Sequence, residues 1–536
     1  MNLDPQLGQL VTEQLVHASR DHGDEYTFKH ALTQETVYRS LLKSQRRALH
    51  RAVAEAIEKT FPERKGKLSD VLGFHWEQAD VPDRARRYLF RAAQNALRQY
   101  ANQEALALLE RALALSADAK PDEVMALRES RAQVYEFLSQ YDRAIEDYQA
   151  ALPLARSAKL EIDECRIMSR IAWLYSLSGR GADAVAMASE SETRARALQD
   201  ESVALRAYLV QGMVAQADGD LAYAYPRLRR ALFASRARDE KPLEGEALFY
   251  LGIQNNFMGR FGRAAACARK AYDIKKGLSD RVGEIVSLYL LARAEAGRGN
   301  YDAALDALEA GRVVSEETRN PFGLAQYPNT RAWLDAELGD WESAYARDLV
   351  GLDIAKRAPV RPPEISVLIN LVNDCTMLGK LDEADAHRAE LAQWMDRPEF
   401  GFHAWRWQTR LADASARLEF ARGRVDDAEK QIATLFALTA RTRSAKYRAR
   451  GLILQADVHR ARGETIAAEN CLITARELAD ALGYLPARIH ARRALTRIGK
   501  PAPDLDQLVA DARARLQNAE LAQAFARGIS QARDLG

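Results

Sequence analysis

The chain has 536 residues, 47% apolar and 28% charged, a foldable composition and not a disordered one. Gly (29) and Pro (16) are both scarce, which excludes collagen-like and all-β organisation and leaves most of the length to long regular elements. Lys and Arg (77) nearly cancel Asp and Glu (75), so the surface as a whole is not built for nucleic acid or an anionic membrane.

The start, Met1-Asn2-Leu3-Asp4-Pro5, lacks the basic and apolar stretches of a signal peptide. No apolar run reaches the roughly 18–20 residues of a membrane span. The four cysteines (Cys165, Cys267, Cys375, Cys471) form no CxxC pair, so neither a disulfide framework nor a zinc knuckle is expected. A cytoplasmic location follows as the expectation.

In chain order, Tyr26 to Leu42 begins as a short alternating strand and turns helical. Leu49 to Glu58 reads as an amphipathic helix, followed by Leu72-Gly73-Phe74-His75-Trp76 and by Asp83 to Ala93. The string Phe28-Lys29-His30-Ala31-Leu32-Thr33-Gln34-Glu35-Thr36-Val37-Tyr38 resembles the junction in large bacterial signalling ATPases of the AAA/STAND type. In that family a small winged-helix-like module joins the ATPase to a repeat array, often behind a class III adenylate or guanylate cyclase domain. The resemblance covers residues 1–115 and implies a winged-helix-like remnant at 1–62.

It implies no activity for this chain. A phosphate-cradling loop needs GxxxxGK[ST], and before Lys65-Gly66-Lys67-Leu68-Ser69 stands Phe61 where the first Gly belongs. Lys43 to Lys67 carries eight cations against Glu55, Glu58 and Glu63. These suit a solvated face, or one docking an absent ATPase domain, better than a base-reading surface.

Residues 63–498 carry a repeat. Gly, a polar residue, an apolar residue, two variable residues and Ala recur from Gly219 to Ala224, Gly259 to Ala264, Gly299 to Ala304, Gly339 to Ala344 and Gly379 to Ala384. The pattern continues at Gly423 to Ala428 and Gly463 to Ala468, with alanines forty residues apart from Ala144 to Ala384. Gly ends one helix in the left-handed conformation, the apolar residue packs under the turn, and the Ala admits a close neighbour. Small residues recur seven before the Gly, as in Ala172, Gly212, Gly252, Ala292 and Ala332. Forty residues hold two helices of about 16, neither able to bury its apolar stripe alone. The pattern resembles the tetratricopeptide (TPR) repeat, in a longer form than the usual 34 residues. The expected fold is all-α: a right-handed TPR-like α-solenoid of about ten hairpins of about 40 residues. Beyond Gly499-Lys500-Pro501, a helix over Leu505–Ile529 is expected to cap it, within a C-terminal segment at 504–536.

No catalytic, cofactor-binding or metal-ligating set emerges: the nine histidines lack HExxH spacing, and Asp382, Glu383, Asp385 and His387 begin a helix whose dipole they complement. No enzyme and no cofactor are expected. TPR resemblance implies that the first helix of each pair lines a concave groove. Phase six before the turn Gly nominates Trp173, Arg293, Trp333, Asn373 and Arg417, and three before it Asn256. These vary while the packing positions stay small, as a row facing a variable partner would. Space-filling between neighbours is the competing reading for Trp173 and Trp333. The sequence thus predicts a non-catalytic scaffold or sensor that holds a protein or peptide and serves a signalling ATPase or cyclase. The alternative is a DNA-binding regulator with a TPR effector domain.

Overall fold

The computed structural model describes residues 4–18, 26–357, 361–395 and 404–534. Among them 27 α-helices, a 3-10 turn at Pro62–Arg64 and a single two-stranded antiparallel pair account for the regular structure. Two units separate, Met1–Val134 and Tyr135–Gly536.

In the first unit the alternating Tyr26–Phe28 is a strand, paired with Val16–Ala18 so that Val16 faces Phe28. Helices Ala31–Ser40, Lys43–Thr60, Ser69–Gln78 and Pro82–Arg98 follow. Their core is Ala54, Leu72, Trp76, Ala79 and Ala85. Glu58 fixes one edge, accepting from the Trp76 indole N–H at 3.1 Å and from the Tyr88 hydroxyl at 2.8 Å.

The second unit is an all-α solenoid. Glu161–Leu177, Gly181–Ala197, Glu201–Ala217, Leu221–Ala237, Lys241–Phe257, Phe261–Gly277 and Arg281–Gly297 are each 17 residues long. The turn glycines behave as their spacing predicts: Gly179, Gly219, Gly259, Gly299, Gly339, Gly379, Gly423 and Gly463 all have φ between +74° and +86°. The intervening turns use the same conformation without glycine. Lys159, Gln199, Asp239, Ser279, Arg319 and Arg443 have φ between +51° and +60°. From 159 to 339 a left-handed residue therefore ends a helix every twenty residues.

Small residues set how closely helices approach. A Cβ on Gly252 would lie 2.8 Å from a Leu290 methyl, and one on Gly212 would lie 2.9 Å from Leu228. Phe261 and Tyr301, the apolar residues after the turn Gly, are buried.

Later repeats lie against earlier ones. The turn at Gly219 meets Trp405 and Thr442, and that at Gly259 meets Leu482; Thr442 and Leu482 each stand 223 residues beyond their glycine. The Trp405 indole N–H donates to the Gln216 carbonyl at 3.0 Å. Equal offsets are what a helical array gives when one turn rests on the next.

The C-terminal helix expected over Leu505–Ile529 is two helices, Leu505–Ala514 and Ala519–Asp534. The break is anchored from outside: the Asp302 carboxylate accepts the backbone N–H groups of Gln517 and Asn518, both at 2.9 Å. Asn518 then caps the second helix by accepting from Leu521 N at 3.1 Å. That helix turns back onto Pro321–Leu338, where Leu521, Ala524 and Phe525 join a core with Leu334 and Leu338.

Candidate functional site

The inward positions of helices Lys241–Phe257, Arg281–Gly297 and Pro321–Leu338 face helices Ala404–Ala421 and Ala445–Ala461, and a cavity of about 30 Å³ remains between them. Asn256, Arg293, Trp333, Arg406, Arg410 and Lys446 line it. Three of the six sequence-nominated residues thus converge. Arg417 borders a second cavity of about 50 Å³ with Glu337, Arg450 and His490. Trp173 and Asn373 line neither: Trp173 stands edge-on to Tyr250 with ring centroids 5.7 Å apart, as space-filling predicts, and Asn373 neighbours the buried Asp374.

Ion pairs stitch the inner wall. Lys446 Nζ lies 2.9 Å from Glu337, which also accepts the Tyr484 hydroxyl at 2.7 Å. Burial pushes the Lys446 ammonium down to about 8, against the pull of Glu337. Glu337 moves the other way: burial alone would raise it, but Lys446, Arg450 and the Tyr484 hydroxyl outweigh burial and lower it. Arg450 Nη2 lies 2.5 Å from Asp413, which Arg417 Nε approaches at 3.6 Å. Arg441, Arg443, Lys446, Arg448 and Arg450 form a basic run in the sequence, equally readable as solvent-facing or as part of a groove for an acidic peptide, and the structure divides it. Lys446 and Arg450 point inward, while Arg441, Arg443 and Arg448 are exposed.

Among the described residues Arg293, Arg406 and Arg410 have no carboxylate within 4.0 Å. Arg410 donates to Ser366 Oγ at 2.9 Å and to Asn370 Oδ1 at 2.6 Å, both neutral. Arg293 lies over the Trp333 ring at 4.6 Å and Arg406 over Phe257 at 4.7 Å. Asp348 and Asp374 are buried near one another, and burial raises both, Asp374 to about 8.

Arg406, Arg410, Lys446 and Tyr447 were not nominated from sequence. Lys446 belongs to the run Arg441 to Arg450, read from sequence as either solvent-facing or part of a groove for an acidic peptide, but nothing in the repeat phase marks Arg406 and Arg410 as facing residues some 110 positions earlier. The acids Asp382 and Asp385 engage Arg422 at 2.6 and 2.8 Å, and Glu383 accepts the Tyr345 hydroxyl at 2.6 Å. Among the described residues no group of three or more His, Cys, Asp or Glu is placed to hold a metal ion. In the first unit His50 Nδ1 lies 2.9 Å from His75 Nδ1, a proximity that spacing did not reveal. Among the described residues, no helix is long and apolar enough to cross a membrane.

No known family model and no curated protein sequence matches the chain. Solved structures align with the chain at low identity and with TM-scores below 0.5. A Rap protein complexed with competence and sporulation factor is 14% identical, with 74% of this chain and 100% of that one covered and a TM-score of 0.45. A signal transduction ATPase with numerous domains and a tetratricopeptide repeat sensor, from Pyrococcus horikoshii, is 15% identical. There the match covers 74% of this chain and 59% of that one, with a TM-score of 0.42. The Cut9–Hcn1 hetero-tetramer of APC/C is 15% identical, over 93% of this chain and 99% of that one, with a TM-score of 0.41. The chain's own paired 17-residue helices and left-handed turns every twenty residues make its fold TPR-like. What the TPR-like array of this chain holds has to be argued from its own side chains.

Proposed function

We propose that this chain is a non-catalytic interaction module whose inner wall holds a protein or peptide and whose first unit docks a signalling ATPase or cyclase domain. One observation carries the binding reading. Asn256 Oδ1, which lines the cavity, is a buried polar atom without a hydrogen-bond partner, and Arg417 Nε beside the second cavity has only the Asp413 carboxylate at 3.6 Å. Unsatisfied buried polar groups are rare in a finished core and common where a ligand completes the set. The docking reading is supported by the first unit, which leaves Leu32, Val37, Leu42, Leu49 and Phe74 exposed at 76, 50, 67, 53 and 45%. The named Rap complex and STAND sensor are consistent with both roles.

The test probes a peptide array with the full chain. A subset of peptides is expected to be retained, and Arg293→Glu with Arg417→Glu is expected to abolish retention while circular dichroism stays unchanged. No retained peptide, or retention indifferent to the double variant, contradicts the reading.

A further inference from the structure

The cavity walls contain more positive charge than the protein neutralises. Lys446 and Arg450 have carboxylates at hydrogen-bond distance. Arg293, Arg406 and Arg410 have none: among the described residues no carboxylate stands within 4.0 Å of any of them. Their nearest neighbours are neutral, namely the Tyr289 hydroxyl, the faces of Trp333 and Phe257, Ser366 and Asn370, and the carboxylates that act on them stand farther off, Glu337 toward Arg293 and Asp348 toward Arg410. All three line the same cavity of about 30 Å³.

Two consequences appear in neighbouring groups. Burial lowers the Arg406 guanidinium to about 10, with Arg293 and Arg410 adding to the effect against the opposing pull of Tyr289. It remains charged at neutral pH all the same. Burial alone would raise the Tyr289 hydroxyl, yet Arg293, Arg406 and Arg410 together bring it below its ordinary value. A buried phenol that becomes more acidic reports a strongly positive potential at that point. Glu337 is already paired with Lys446 and burial holds Asp348 toward its neutral form, so none of the three guanidiniums has a counter-charge in contact, and an anion entering the cavity would supply one.

We propose that the cavity bounded by Arg293, Arg406 and Arg410 binds a compact, doubly charged oxyanion of the phosphate class. A guanidinium fork pairs bidentately with phosphate oxygens, and tetrahedral oxygens can accept from three directions at once. The space suits a single oxyanion group and not a length of chain. Asn256 Oδ1, on the same wall, is an acceptor without a donor. Monohydrogen phosphate carries one O–H to offer it, and sulfate carries none. The site shares Asn256 and Arg293 with the peptide reading, and a titration with inorganic ions alone, run without any peptide, separates its outcome from that of the peptide array.

The test is calorimetric titration of the full chain with inorganic phosphate at constant ionic strength, with sulfate, succinate and adenosine monophosphate as parallel arms. Phosphate is expected to bind, sulfate more weakly, and succinate not measurably. Adenosine monophosphate binding tighter than phosphate assigns the group to an organic phosphomonoester, and equal or weaker binding assigns it to the free ion. Arg293→Gln and Arg406→Gln are each expected to weaken phosphate binding about 10-fold or more. In chloride buffer each variant is expected to keep or raise the thermal midpoint, because an uncompensated charge has been removed. Phosphate is expected to raise the midpoint of the wild type and not of the variants. No phosphate binding, succinate binding equal to phosphate, variants that titrate like wild type, or midpoints that fall in chloride buffer would each overturn the proposal.

Discussion

Ser279 and Gly259 occupy equivalent left-handed turns, at φ +56° and +74°, and carry opposite expectations. A residue with a Cβ pays about 1–2 kcal/mol in that conformation, and glycine returns part of this through the freedom of the unfolded chain. Ser279 is exposed, so Ser279→Gly is expected to stabilise by about 0.5–1 kcal/mol in denaturant unfolding. At Gly259 a Cβ would stand 2.5 Å from a Leu482 methyl, and Gly259→Ala is expected to cost about 2 kcal/mol or more. The glycine half of this pattern was visible in the sequence because only glycine marks itself. Lys159, Gln199, Asp239 and Ser279 adopt the same conformation with no residue type in common, so the twenty-residue rhythm stayed hidden behind the forty-residue one. Titration is a second residue-scale matter. Burial raises Asp374 to about 8, above its unfolded value, so the folded state holds a proton that the unfolded state releases. Stability from this group is full below about pH 4 and is lost as pH rises through about 8. Asp374→Asn is expected to flatten the fall in thermal midpoint between those limits, and an unchanged profile would exclude Asp374 as its source.

At the scale of elements, the helix pairs were legible and the C-terminal return was not. Periodicity from Leu505 to Ile529 looks continuous, and the break at 515–518 depends on Asp302, more than 200 residues earlier. A single-sequence reading has no access to such a partner. The returning helix Ala519–Asp534 is held by Arg527, whose guanidinium lies 2.6 Å from the fully buried Asp340, and by the seating of Gly528 on Gly339. Arg527→Ala leaves the Asp340 carboxylate buried without its cation. The expected cost is about 1–3 kcal/mol in equilibrium unfolding. Glu520, whose ion pairs with Arg331 and Arg347 are half exposed, is expected to matter much less when replaced by Gln.

At the scale of the whole array, sequence phase nominated a row of which Arg293 and Trp333 line the cavity while Trp173 and Asn373 do not, and it gave no sign of what the row faces. Arg293 and Trp333 were nominated because they repeat in register with the turn glycines, and Asn256 as a polar residue three before Gly259. Arg406 and Arg410 join them only because repeats far apart in sequence rest on one another, and that offset depends on the accumulated twist of every repeat between them. An open solenoid couples each repeat to its neighbours alone. In this chain Trp405 connects helix Ala404–Ala421 to Gln216 and Gly219, skipping the repeats between. The self-contact encloses the inner wall and gives it a cavity with a fixed set of charges instead of an open groove.

Hydrogen exchange on the Trp405→Ala variant tests this closure most directly. Loss of the indole is expected to lower amide protection in residues 211–219 together with residues 404–410, although the two segments are nearly 190 positions apart. Protection at 211–219 that matches the wild type, with loss confined to the repeats adjoining Trp405, would contradict the account.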